Sequence, residues 1–239
     1  MDGNQSIQLY FPLEIEELPK IDVVVFSHDH YDHLDYGSVD ALKDKVDHWL
    51  VPWGLDNHLV SWGVNPNKIT ALDWWQESIQ IDIEFVLTPS RHFSGRGITD
   101  RMVTLWGSWV IKGASDNIYF SGDGGYGSHF KEIGEKYGPF DIGLMECGQY
   151  NEKWADIHMM PEESVQASLD VNAKVMMPVH WGAFILSVHS WIEPVQRAYI
   201  EAERLGVKMT TPKIGEQIIL NESYPTSKWW LEHLMTPIN

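Results

Sequence analysis

The chain has a single cysteine, Cys147, in 239 residues. An internal disulfide is therefore excluded, and the composition suits a reducing, cytoplasmic setting. Its position in the apolar run Ile142-Gly143-Leu144-Met145-Glu146-Cys147 reads as the end of a buried strand, which makes the thiol inert. Basic residues are also scarce. Seventeen Lys and Arg face 34 Asp and Glu, a formal charge of −17 that repels nucleic acid and anionic surfaces at long range. No apolar run is long enough to cross a bilayer, so no integral membrane segment is expected, and the first residues show no basic-then-apolar leader. No Pro/Gly-rich linker divides the chain, and one domain over residues 1–239 is the simplest organisation. Hydrophobic residues at 44% with 12 Trp exclude a disordered chain of this charge.

What the chain does have is histidine in one place. Ser27-His28-Asp29-His30-Tyr31-Asp32-His33 puts three imidazoles and two carboxylates directly after Val23-Val24-Val25-Phe26. His28 and His30 share one side if extended geometry persists through them, and Asp32 and His33 follow where a turn can aim them at a second ion. Imidazole with carboxylate suits Zn²⁺, Mn²⁺ or Fe, and the lack of nearby thiolates argues against a structural zinc knot.

Strand-like and helix-like segments alternate. Strands are expected at Val23 to Phe26, His48 to Val51, Ile69 to Leu72, Ser78 to Leu87, Met102 to Ile111, Asn117 to Phe120, Ile142 to Met145, Lys174 to Pro178 and Gln217 to Leu220. A turn at Gly113 to Asn117 reads as a hairpin. Helices are expected from Ser38, with Leu42 and Val46 on the inner face, and over Leu55 to Trp62, Ser128 to Tyr137, from Pro161, and Pro194 to Leu205. A terminal helix over Lys228 to Met235 would pack through Trp229 and Trp230. Three more candidate ligands, His92, Asp123 and His180, each follow an apolar run, as the first cluster does.

These motifs resemble the metallo-beta-lactamase fold hydrolases: His28, His30, Asp32 and His33 meet the pattern His-x-His-x-Asp-His, and His92, Asp123 and His180 look like its later members. Asp73-Trp74-Trp75, Pro89 to Arg96 and His180-Trp181-Gly182 are most similar to the N-acyl phosphatidylethanolamine phospholipase D group and its bacterial relatives. The resemblance implies an α/β, αββα sandwich binding two Zn²⁺ per chain, with Mn²⁺ or Fe as other candidates. His28, His30 and His92 would hold the first ion, Asp32, His33 and His180 the second, and Asp123 both. Asp32 would additionally orient the nucleophile. His158, just before the Pro161 helix, resembles a leaving-group acid or phosphate contact. Arg91, Arg96, Tyr31 and Trp181 lie beside ligands and are candidate substrate contacts, with salt-bridging or packing as the competing reading.

The expected activity is a phosphodiesterase of phospholipase D type on a small-molecule or phospholipid-like ester. A lactonase or carboxyl-ester hydrolase, and a non-catalytic assembly or metal-binding module, remain as alternatives. Only 27 residues precede His28, fewer than this resemblance leads one to expect, which implies a reduced first sheet and an N-terminally shortened domain. Apolar surface left uncovered would favour a homo-oligomer through Ile7 to Phe11 and the Trp-bearing C-terminal region.

Overall fold

A computed structural model describes residues 14–182 and 187–231. Three strands, β1 (Ile21–Val25), β2 (Val46–Pro52) and β3 (Ile69–Leu72), form a parallel sheet in that order. Their connections carry α1 (Tyr36–Leu42) and α2 (Asp56–Ser61), as parallel pairing requires a crossover. A second sheet runs β4 (Glu77–Gln80), β5 (Ile83–Thr88), β6 (Ser108–Lys112), β7 (Asn117–Phe120), β8 (Ile142–Glu146) and β9 (Met176–Val179). It is antiparallel from β4 to β7 and parallel from β7 to β9, with α3 (His129–Tyr137), α4 (Pro161–Asp170) and α5 (Glu193–Leu205) on its outer side.

The two-residue period of the strands builds the layers. In β2, Trp49 and Val51 turn toward α1 and α2, joining Leu34, Val39, Leu55 and Leu59, while Leu50 turns the other way. Leu50 meets Leu72, Phe85, Leu87 and Trp109 in a core between the sheets. In the second sheet Val86, Val110 and Tyr119 face outward, where Phe130, Ile133, Val165, Val195 and Ala198 of the three helices cover them. Helix, sheet, sheet, helix is therefore the layer order, the αββα sandwich of the sequence reading.

Several expected boundaries move. Val46 opens β2 rather than lying on the face of α1, and α1 begins two residues before Ser38 because Asp35 caps it, accepting from the Ser38 amide at 2.7 Å. The single strand expected over Ser78 to Leu87 is a hairpin: Ile81 and Asp82 both take positive φ, 47° and 63°, and reverse the chain between β4 and β5. Met102 to Gly107 is irregular, with Met102 itself at φ 60°, so β6 starts only at Ser108. Gln217 to Leu220 makes an isolated bridge, Ile219 to Ser223, not a strand. Residues 229–231 form a 3-10 turn whose Trp229 and Trp230 pack on the outer core, and the rest of the expected terminal helix lies outside the described residues. So does the segment Ile7 to Phe11. Among the described residues the first sheet has three strands, and no helix is long and apolar enough to cross a membrane.

Candidate metal centre

Strand direction decides where the chemistry gathers. β5 and β7 are both antiparallel to β6 and therefore point the same way, and β8 and β9 run parallel to β7. The exits of β5, β7, β8 and β9 consequently lie along one edge, and they deliver His92, Asp123, Glu146 and His180. The exit of β1 is stitched to that edge. Gly107 N–H donates to the Ser27 carbonyl at 2.9 Å and Trp109 Nε1 to the Phe26 carbonyl at 2.8 Å. Gly122, at φ 57°, permits the contact: a Cβ there would sit 2.7 Å from the Gly107 oxygen and 2.8 Å from Ser27 Cβ. The His-rich segment beyond β1 thus faces Asp123.

Two donor sets result. His30 Nδ1 lies 3.0 Å from His28 Nε2 and 3.2 Å from His92 Nε2, and both Nε2 atoms lie 4.0 Å from Asp123 Oδ2. In the other set His33 Nε2 lies 3.1 Å from Asp123 Oδ2 and 3.7 Å from Asp32 Oδ2, and His180 Nε2 lies 3.4 and 3.3 Å from the same two oxygens. Asp123 Oδ2 belongs to both. Donors about 2.0–2.1 Å from a tetrahedral zinc ion are roughly 3.3 Å apart, which is the scale of these separations.

The hydrogen bonds around the rings fit ligation better than mutual pairing. The His92 Nδ1–H donates to the Ile157 carbonyl at 3.0 Å, which leaves a lone pair on Nε2 aimed at His30. Ser27 Oγ engages His28 Nδ1 at 2.9 Å, again freeing Nε2 to face inward. His33 Nε2 is buried and makes no hydrogen bond at all, although the Asp123 oxygen is near. Such an orphaned buried atom beside a carboxylate is what a ligand atom looks like.

The electrostatics agree for the first set. Burial, followed by repulsion from His33, pushes His28 well below its ordinary value, and burial pushes His92 down to about 4. Both rings are thereby held neutral, the state that binds a cation. Burial works to raise the Asp32 carboxyl, but the His180 hydrogen bond and His33 hold it down at about 2. For His180, burial favours the neutral ring, but Asp123, Asp32 and Glu146 together outweigh it and favour the protonated one. A cation in that set therefore competes with a proton.

Of the other sequence candidates, His158 lines the same cleft, about 270 Å³ in volume, together with His30, Asp32, Asp123, Gln149, Trp154, Ile157 and His180. Arg96 donates from Nη1 to the carbonyls of Asp29 and Leu34, both at 2.7 Å, and stacks its guanidinium 4.0 Å from the Tyr31 ring centre. It braces the His-rich loop. Arg91 bridges to Asp156 at 2.5 Å and to the Tyr126 carbonyl at 3.1 Å, tying the His92 loop to the 154–158 segment. Trp181 packs on Trp229 and Trp230 and donates to the Pro178 carbonyl. Tyr31 is exposed.

Sequence reasoning assigned no role to Asp29, Glu146, Trp154 or Ile157. Asp29 is buried and accepts from the Gly95 amide at 2.7 Å and Thr104 Oγ1 at 2.9 Å, locking the His28 and His92 loops together. Glu146 is fully buried beside His158 and His180. Burial works to raise its carboxyl, yet those two histidines hold it below its ordinary value. Its place at a strand exit, shared with every expected ligand, was the available signal. Trp154 and Ile157 sit in a segment with no motif or period.

A family model for the beta-lactamase superfamily domain matches residues 4–181. An uncharacterized protein of Mycobacterium tuberculosis (strain ATCC 25618 / H37Rv) is 44% identical over 223 residues, covering 92% of this chain and 60% of that protein. N-acyl-phosphatidylethanolamine-hydrolyzing phospholipase D 1 of Caenorhabditis elegans is 34% identical over 196 residues, covering 77% of this chain and 55% of that protein. The chain thus spans little more than half the length of these curated relatives. Among solved structures, a metallo hydrolase from the archaeon Ignicoccus hospitalis shares the fold, with a TM-score of 0.64 at 19% identity over 83% of this chain and 79% of that one. By the family match and by its architecture, the chain belongs to the beta-lactamase superfamily and carries its metal-dependent hydrolase fold.

Proposed function

We propose that this chain is a dinuclear zinc-dependent hydrolase that cleaves a phosphodiester in the manner of a phospholipase D. The observation that carries the reading is the pair of donor sets joined at Asp123 Oδ2, with His158 on the same cleft. His28, His30 and His92 would hold one ion, and Asp32, His33 and His180 the other, with Asp123 common to both. Bound there, two divalent cations supply Lewis acidity and lower the pKa of water. Asp32, a third exposed at the cleft, accepts a hydrogen bond from the attacking water and orients it toward phosphorus. As the new P–O bond forms and the ester P–O bond breaks, His158 gives its proton to the departing oxygen.

The 34% identity to a phospholipase D that hydrolyses N-acyl-phosphatidylethanolamine supports a phospholipid-like diester, and Trp154 and Ile157 offer an apolar wall beside the donors. The charge of −17 supports a substrate other than nucleic acid, and the buried lone thiol of Cys147 suits a cytoplasmic location. The test is zinc reconstitution with metal analysis, followed by phosphodiester, lactone and thioester substrates. Two zinc per chain with diester turnover supports the proposal. Less than one metal per chain refutes it, lactone turnover without diesterase activity moves the reading to a lactonase, and full metal loading with no turnover favours an assembly or metal-binding module.

A further inference from the structure

A single oxygen, Glu146 Oε1, meets two histidines. It lies 3.2 Å from His158 Nδ1 and 3.6 Å from His180 Nδ1, and the two imidazoles stack 5.7 Å apart with their planes 2° from parallel. Both rings also line the same cleft. For His180 the cleft-facing nitrogen is Nε2, which faces Asp32 and Asp123. His158 has its Nδ1 at Glu146, so Nε2 is the nitrogen left to face the cleft.

The carboxylate is itself firmly placed. Gly148 N–H donates to Oε1 and Met159 N–H to Oε2, each at 3.1 Å, and Ser121 and Ser164 hold the Glu146 backbone through its amide and carbonyl. The Met159 bond fixes the residue next to His158, so side chain and backbone of that turn hang on one group. His180 Nδ1 is buried and makes no hydrogen bond within 3.5 Å, and Glu146 Oε1 stands just beyond that limit, at 3.6 Å. Nothing in the reaction outlined above uses this buried carboxylate.

We propose that Glu146 is the positioning residue of the site, one carboxylate facing the Nδ1–H of both His158 and His180, which turns the Nε2–H of an imidazolium acid (His158) and the Nε2 lone pair of a neutral metal ligand (His180) to the cleft in register. A ligating imidazole whose other nitrogen donates to a carboxylate is oriented and made more basic, and loss of such a partner costs about 10- to 100-fold in metal affinity. For His158 the same contact presents Nε2 to the leaving group. This half rests on the hydrolase reading, whereas the Nδ1 protons and the metal affinity do not.

The experiment uses the full chain reconstituted with zinc. Nitrogen-15 imidazole spectra of the wild type should show both His158 and His180 protonated at Nδ1, and either ring found without a proton on Nδ1 overturns the proposal without any variant. Glu146→Gln should release one of the two zinc ions to a competing chelator about 10- to 100-fold more readily. His158→Ala should leave zinc affinity within twofold of wild type. Diester turnover in Glu146→Gln should fall further than zinc loss alone explains when zinc is saturating, and this excess should vanish in the His158→Ala background. Unchanged zinc affinity in Glu146→Gln refutes the proposal. Should Glu146→Gln not fold, Glu146→Asp, which keeps the charge but withdraws the oxygen, is read by the same outcomes. Both rings protonated at Nδ1 and weakened zinc with no turnover on any substrate would support the positioning role and refute only the hydrolase reading.

Discussion

Gly148 supports a sharp prediction because its neighbour is His180, one of the proposed metal ligands. A Cβ added there would lie 2.0 Å from the His180 carbonyl oxygen and 2.6 Å from His180 Nδ1, where ordinary contact begins near 3.4 Å. Gly148→Ala must therefore displace one partner by about 1.4 Å. The strand end is not the part to yield: Cys147 N–H is bonded to the Val179 carbonyl at 2.9 Å, and Glu146 is held on both sides. His180 already occupies φ 68°, an unfavourable region for a side-chain-bearing residue, so its backbone has little slack to absorb the push. A misplacement of this size near reacting groups costs roughly 100-fold in rate, or about 2.7 kcal/mol of transition-state stabilisation. Overpacking should also lower stability by about 1–3 kcal/mol. The assay pairs kcat/KM on a turned-over diester with zinc content after dialysis, at a temperature where urea titration shows the variant folded. A Gly148→Ala protein with wild-type turnover and two tightly held zinc ions would show that the β8 exit does not set the position of His180.

Asp123→Ala removes the oxygen shared by both donor sets; it should lower bound zinc below two per chain and turnover by more than the 10- to 100-fold typical of an outer-shell partner, as metal analysis and steady-state kinetics will read. Away from the site, burial works to raise the Asp141 carboxyl, but Lys174 Nζ at 2.7 Å and the Asn117 amide at 2.8 Å hold it below its ordinary 3.8. A depressed carboxyl stabilises the fold above its unfolded pKa and loses that contribution as pH falls through the folded one, so Asp141→Asn should cost on the order of 1 kcal/mol at pH 7, with Lys174 half exposed. The gap from wild type in urea titrations should narrow below about pH 4, and a gap unchanged between pH 7 and pH 3.5 would refute the assignment. Light scattering at micromolar concentration should report a homodimer or larger assembly, its salt response set by the charge of −17; a monomeric mass throughout would end that expectation.

Legibility in the sequence follows the range of the interaction that fixes each feature. His28, His30, Asp32 and His33 were readable because four candidate ligands fall within six residues, and no packing is needed to see them together. His92, Asp123 and His180 were readable one by one, each after an apolar run. The reason they meet is the direction of β5, β7 and β9 relative to β6, which depends on pairing and not on any single segment. The boundaries that moved did so where local signals compete. Ile79, Ile81 and Ile83 keep the alternation of a strand, and only the positive φ of Ile81 and Asp82 turns it into a hairpin without a glycine to mark the place. Glu146 illustrates the other limit. Lying between Met145 and Cys147, both fully buried, it carries the burial of a core residue and the charge of a surface one, a conflict visible in the sequence but resolved only by His158 and His180 arriving from later in the chain. A charge in an apolar strand end is costly unless partnered, so the conflict itself was evidence that polar partners must converge there.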